Sequence, residues 1–301
     1  MNISPEMQRR ALANGIGAYA IWGIFPIYFK LLAHVPAFEV LADRVLSSLV
    51  LMIGVVTVQQ TWPALFRTLG KPRMLLALTA SALSIGINWF VYVNATTQGY
   101  ILAASMGFFL NPLINVALGV IFLKERLRPT QILAVALAAI GVAAMAVAAW
   151  DSLWISLVLA VSFGLYGFIR KLTPVDSTMG LTVETIALSP LALGYVAFHL
   201  SQGTLDYGRD WSTTALLSGI GLLTCYPLVL FGKAARNLKL STLGLLQYVT
   251  PTMLFLIGWG LYGEQLNPQK LVSFALIWTS LAIFGWDASR QRGSDTPPAQ
   301  S

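Results

Sequence analysis

Asn111 and Asn115 lie one helical turn apart inside a long apolar run, so a helix there presents both amides on one face. Pro112 between them removes a backbone donor and frees a carbonyl one turn earlier. Asn88 and Tyr92 share a face in the same way, with Trp89 beside them and Asn94 further along. Gln247, Tyr248 and Pro251 form a similar group late in the chain, and Trp22, Tyr166 and Tyr226 add amphipathic rings inside other apolar runs. Amides and aromatics of this kind suit the binding of a small organic solute in a partly polar cavity. The competing use is structural: amides hydrogen-bond between helices, prolines kink them, and aromatics face lipid or sit in the interfacial belt.

Charges inside apolar runs are fewer. Asp43 and Arg44 are successive, so on a helix they point about 100° apart and do not pair with each other. Glu184 is the third. Ionisable groups at such positions usually face a bundle interior or a wet cavity. They are candidate gating or coupling groups together with Pro112 and Pro251, and Glu184 is a candidate proton carrier. Snorkelling or a static ion pair is the alternative. Glu125 and Glu264 fall at run ends beside Lys124, Arg126 and Lys270, where local caps and surface pairs are expected.

Other chemistries have no residues to support them. There is no HExxH, no Gly-x-Ser-x-Gly and no phosphate-binding loop. His34 and His199 stand apart near run ends, which leaves no metal site. Cys225 is alone, so no internal disulfide forms. No cofactor and no enzymatic activity are expected.

The runs that carry these residues define the class. The chain is 56% hydrophobic and 10% charged with mean hydropathy +0.72, whereas a soluble domain is roughly one quarter charged. Runs of about twenty apolar residues recur throughout, each long enough for a hydrocarbon core of about 30 Å. The expected fold is an all-α polytopic membrane protein, because lipid offers backbone amides no partner. Ten transmembrane helices are expected, at approximately 11–33, 38–58, 74–96, 100–123, 130–149, 152–169, 179–200, 213–232, 242–262 and 269–287. The first lacks a small-residue cleavage site and reads as a retained helix rather than a signal peptide. Residues 289–301 form a polar tail expected to be disordered.

The +7 net charge lies in short loops. Fifteen basic residues fall on one side of the expected spans and three (Lys30, Arg209 and Lys270) on the other, with Arg44 inside a span. That bias places both termini in the cytoplasm and explains the basic balance without a nucleic-acid partner.

The chain also repeats itself. Pro112, Gly119, Glu125, Leu127 and Pro129 recur 139 residues later as Pro251, Gly258, Glu264, Leu266 and Pro268. Trp22-Gly23 matches Phe163-Gly164 at a spacing of 141, a register that also sets Lys30 against Lys171 and Asp43 against Glu184. Residues 1–150 and 151–288 are thus two five-helix units. An odd helix count inserts the second copy upside down. Two inverted five-helix repeats are a hallmark of secondary transporters.

Ile21-Trp22-Gly23-Ile24-Phe25-Pro26, Asn88-Trp89, Gly107-Phe108-Phe109-Leu110-Asn111-Pro112, Glu125-Arg126-Leu127-Arg128, Val183-Glu184-Thr185 and Leu240-Ser241-Thr242-Leu243-Gly244 resemble the EamA branch of the drug/metabolite transporter superfamily, and more closely its RarD-like members. The resemblance covers nearly the whole chain. It implies a ten-helix permease of the bacterial inner membrane with two inverted repeats around a central cavity, and the RarD name carries an association with chloramphenicol sensitivity. Ala103, Asn94 and Asp43 depart from that pattern, where relatives often carry Glu, Trp and His; altered substrate or ion coupling is the implication.

The expected function is a secondary transporter moving a small organic metabolite or drug-like solute by alternating access, with membrane lipid as surroundings and protons as a candidate coupling ion. An integral-membrane enzyme or regulatory scaffold is the alternative. The polar residues recurring within many spans speak against a scaffold. Driving force, direction and oligomeric state stay open at this point.

Overall fold

A computed structural model describes residues 5–97, 100–148, 153–260, 271–273, 275–280, 282–283 and 286. Among them the chain is helical with short turns between helices and no strand. The helices are α1 (Pro5–Leu31), α2 (Ala37–Val58), α3 (Trp62–Leu69), α4 (Pro72–Thr97), α5 (Ile101–Ile121), α6 (Pro129–Ala148), α7 (Leu153–Leu172), α8 (Ser177–Gln202), α9 (Trp211–Asn237), α10 (Leu240–Leu246) and α11 (Val249–Gly260). The described residues from 271 to 286 are helical as well. Seven helices are long and apolar enough to cross a membrane, and three shorter apolar stretches (Met106–Ile121, Pro129–Ala143 and Leu271–Ser280) accompany them. The protein is an all-α polytopic membrane protein. Glu264, Leu266, Pro268 and the tail at 289–301 lie outside the described residues.

The exterior is what lipid demands. Val50, Leu76 and Leu191 are each more than 70% exposed, an outward apolar coat that water would not tolerate in such numbers. Ends that meet water are capped. Asp176 accepts from the Thr178 amide at 2.9 Å to start α8, Asp210 accepts from the Thr213 amide at 2.8 Å to start α9, and Gly203 closes α8 with φ +65°.

Two elements differ from the sequence expectation. The stretch after α2 forms α3, eight residues that bury Leu65 and Thr68 and expose Phe66 and Arg67. It is too short and too mixed to register as a hydropathic span. The expected ninth span is broken into α10 and α11 at Gln247 and Tyr248. Pro251 has no N–H to offer the Gln247 carbonyl four residues back, and the Thr250 amide takes that carbonyl instead at 3.1 Å. Pro112, its counterpart in the repeat, sits inside a continuous α5.

Packing relates the two halves. Helix α1 packs on α9 as α7 packs on α4; α2 packs on α9 as α8 packs on α4; α1 packs on α11 as α7 packs on α5. The remaining large contacts, α2 with α8 and α5 with α10, join like to like. With the division expected at residue 150, exchanging the halves maps these contacts onto one another, whereas α7 packs on α9 with no comparable contact between α1 and α4. Close approach is needed where α10 crosses α5: a Cβ on Gly244 would stand 2.7 Å from the Pro112 carbonyl oxygen and 2.9 Å from Asn115 Cβ.

The core between α1, α7 and α9 is aromatic. Phe231 touches Tyr19, Trp22, Phe163 and Tyr166, with ring centroids 5.4–6.2 Å apart, and stacks on Tyr166 at 18°. Such pairs contribute about 0.5–1.5 kcal/mol each beyond their buried area. This cluster is the floor on which the cavity rests.

Candidate functional site

A cavity of about 480 Å³ lies between α1, α2, α4, α5, α7, α9 and the α10–α11 break. It begins at the α1–α2 turn, where Ala33 is exposed, and runs inward to Tyr19, Asn111, Leu228 and Gln247. Its size suits a solute of drug dimensions or smaller. Trp22, Phe25, Phe29, Trp89, Tyr92, Phe108 and Phe163 supply aromatic walls; Asn88, Asn111, Gln247, Thr250 and Arg44 supply the polar side chains.

Seven of the residues singled out in the sequence meet here: Trp22, Arg44, Asn88, Trp89, Tyr92, Asn111 and Gln247. Helix geometry explains the convergence: Asn88 and Tyr92, one turn apart, share the face of α4 that meets α7, and Trp89 beside them turns toward Arg44 of α2. Asn88 is tied to α7 by donating to the Leu159 carbonyl at 2.8 Å and the Ser162 hydroxyl at 3.2 Å. The Asn111 Oδ1 is buried and accepts no hydrogen bond. Thr250 is fixed by donating to the Tyr19 carbonyl at 2.8 Å.

The others are placed elsewhere. Asn115 is fully buried below the cavity and donates to Gln247 Oε1 at 3.0 Å, an interhelical bond that orients the amide lining the cavity. Tyr248 is buried and donates to the Phe109 carbonyl at 3.3 Å. Tyr166 belongs to the aromatic floor. Asn94 does not line the cavity, and Pro112 and Pro251 shape backbone without lining it. Tyr226 is 56% exposed on the outer surface of α9, so here the belt reading of an aromatic describes the side chain better than the cavity reading.

The three ionisable groups part company. Arg44 lines the cavity; its guanidinium lies 4.0 Å from the Trp89 ring centroid and 5.8 Å from that of Phe25, and its Nε donates to Thr224 Oγ1 at 2.9 Å. Asp43 is buried on another face of α2, outside the cavity lining, and its Oδ2 accepts no hydrogen bond. Glu184 is 2% exposed, accepts from Ser81 at 2.7 Å and stands 3.6 Å from Arg170 Nε.

Arg170 itself was legible only as a loop base. It is 2% exposed, and its Nη2 donates to the Ser177 carbonyl at 2.9 Å. Its position one turn after Tyr166, at the end of an apolar run, is the signal that it continues a buried face. Lys171 next to it donates to the Ala235 and Leu238 carbonyls at the end of α9. Cations at a helix C-terminus meet unpaired carbonyls and the negative end of the dipole.

Glu125 acts across the molecule rather than on its neighbours Lys124 and Arg126. Its carboxylate accepts from the Leu240 and Ser241 amides at 2.7 and 3.0 Å and from the Ser241 hydroxyl at 2.7 Å, capping α10. Glu39, one turn before Asp43, accepts from the Asp206 and Tyr207 amides at 2.7 and 2.8 Å. Together, Arg170, Glu184, Lys171 and Glu125 tie α4, α7, α8, α9 and α10 to one another away from the cavity mouth. Among the described residues no His, Cys, Asp and Glu cluster could hold a metal ion.

The arrangement can bind a small, partly apolar solute reached from one end. Residues 9–147 match the EamA-like transporter family. An uncharacterized transporter of Pseudomonas aeruginosa is 46% identical over 94% of this chain and 95% of its own. Protein RarD of Escherichia coli K12 is 41% identical over 95% of this chain and 97% of its own. The Chloramphenicol-sensitive protein RarD of Pseudomonas aeruginosa is 31% identical over 91% of this chain and 93% of its own. A crystal structure shares the fold at TM-score 0.69 with 18% identity, over 91% of this chain and 96% of that one. The chain belongs to the EamA-like transporter family, on its RarD-like branch, and is a multi-pass protein of the bacterial inner membrane.

Proposed function

We propose that this protein is a secondary carrier that moves a small organic metabolite or drug-like solute across the inner membrane by alternating access, and that it is not an enzyme. The observation that carries the reading is the cavity, aromatic-lined and reached from the α1–α2 turn; in the proposed carrier the Arg170–Glu184 pair and Glu125 on α10 shut the other end. A channel is continuous from side to side, whereas a carrier is open to one side at a time.

Ten spans in two inverted units, 1–150 and 151–288, supply the mechanism. The helix contacts that map onto one another when the halves are exchanged support this division, as do the repeats at spacings of 139 and 141. Two like units meeting at one site can exchange conformations, which moves the opening from one face to the other. The charge bias puts the sealed end and both termini in the cytoplasm, so the cavity faces the periplasm here. Trp22, Asn88, Trp89, Tyr92, Asn111 and Gln247 bind the solute, while Asn115 and Tyr248 hold the α5 and α10–α11 backbones that form the cavity base. Asp43 and Glu184, at matching depths in the two halves, are the groups through which proton coupling would act.

Counterflow in proteoliposomes tests the reading, with a panel of amino acids, other small metabolites and chloramphenicol, run with and without a pH gradient. The name of the 31% identical relative motivates chloramphenicol. A carrier gives saturable, trans-stimulated flux of at least one solute. Flux without trans-stimulation indicates a channel, and no saturable flux for any solute contradicts transport.

A further inference from the structure

The charge balance of the cavity points to the class of solute. Among the described lining residues Arg44 carries the only charge, and no lining carboxylate answers it. Asp43 is directed to another face of α2, beside Tyr195 of α8 and Glu39 one turn before it. The titratable groups that do face the guanidinium are Tyr92 and Cys225, which are ordinarily uncharged at neutral pH.

The guanidinium is also held in place. Its Nε donates to Thr224 Oγ1, and that hydroxyl donates in turn to the Ile220 carbonyl at 2.8 Å. The Trp89 ring covers one face of it at 4.0 Å. Among the described residues the two Nη groups make no hydrogen bond or ion pair. An unanswered cation in an apolar site is unfavourable unless a counter-charge arrives, and the planar fork of two N–H groups matches a carboxylate in bidentate geometry.

We propose that the solute carries a carboxylate, received by Arg44, on an apolar body of aromatic or branched-aliphatic type that lies against Trp22, Phe25, Trp89 and Phe163. The inference rests on the carrier reading and narrows its substrate to organic monocarboxylates. Asn111 at the inner end of the cavity, with an Oδ1 that accepts nothing, is placed to receive a donor group on such a body.

The test uses three isosteres that differ at one terminus: 3-phenylpropionate, 3-phenylpropionamide and 3-phenylpropylamine. Their binding to purified full-length protein is measured by calorimetry in wild type, Arg44→Gln and Arg44→Lys. Wild type is expected to prefer the carboxylate over the amide by at least tenfold and over the amine by more. Arg44→Gln is expected to bring carboxylate and amide within about twofold, and Arg44→Lys to retain part of the preference. Equal or tighter binding of the amide or amine by wild type overturns the proposal, as does binding of none of the three. So does an unchanged preference in Arg44→Gln; if that variant does not fold, Arg44→Lys and the wild-type series decide. Counterflow separates this inference from the reading beneath it. Saturable flux of neutral or cationic solutes with no carboxylate preference removes the monocarboxylate assignment and keeps the carrier. A carboxylate preference in binding with no saturable flux keeps the Arg44 site and removes the carrier.

Discussion

Asp43 and Glu184 stand 141 residues apart, in register in the sequence repeat, yet among the described residues only Glu184 has a counter-charge beside it. Glu184 has Arg170 and Ser81 against it. The residue of the first half in register with Arg170 is Phe29, which lines the mouth of the cavity. At one end a guanidinium fills the space between helices and answers a buried acid. At the other a phenyl ring holds the register position and lines the cavity, and among the described residues Asp43 has no counter-charge. In the proposed carrier, the two ends therefore differ in a few side chains at register-matched positions of the two sequence repeats.

The largest effect is expected from breaking the sealed end. Arg170→Ala leaves Glu184 buried without its counter-charge, which typically costs roughly 3–5 kcal/mol, read as a lower unfolding temperature in detergent. Adding Glu184→Gln should restore part of the loss; a double variant no better than the single one would show that the ion pair is not what the variant disrupts. Gly244→Ala places a methyl against the Pro112 carbonyl and forces α10 from α5, with an expected loss of about 1–3 kcal/mol by the same measurement. An unchanged melting temperature would mean that this crossing has slack.

Glu125→Ala removes an acceptor shared by two amides and a hydroxyl at the start of α10, an expected loss of about 0.5–2 kcal/mol. Hydrogen exchange should rise locally at Leu240 and Ser241, and unaltered protection there would count against the cap. The smallest effect is expected on the outer surface. Tyr226→Leu exchanges one lipid-facing side chain for another and should alter stability by no more than about 0.5 kcal/mol, with flux unchanged. Trp22→Ala, which removes a cavity wall, should by contrast lower flux strongly, and equal behaviour of the two variants would erase the distinction between lining and coat.

Much of this was legible in the chain because the underlying signals are periodic. Hydropathy gave helices, and the i, i+4 spacings of Asn88 with Tyr92 and Asn111 with Asn115 gave faces. Faces alone do not say which side meets a cavity: Asn111 lines it, while Asn115 one turn on is spent on Gln247. Tyr226 was indistinguishable from Tyr92 in sequence, since both are single aromatics in apolar helices and only the neighbouring helices decide between lipid and interior. Arg170 and Glu125 fall at the ends of apolar runs, where charges usually meet water. Their roles depend on partners 14 and about 115 residues away (Glu184, and the α10 amides), which no local pattern encodes. Helix α3 escaped because eight amphipathic residues lie below the length at which hydropathy speaks.

The most direct test of the account follows one deep position from both sides of the membrane. Leu228, buried at the inner part of the cavity, is replaced by cysteine in a Cys225→Ala background, and an impermeant thiol reagent is applied to right-side-out and inside-out vesicles during solute turnover. Modification from both sides, slowed in each case by saturating solute, is the predicted result. Modification from the periplasmic side alone, with and without solute, would contradict alternating access.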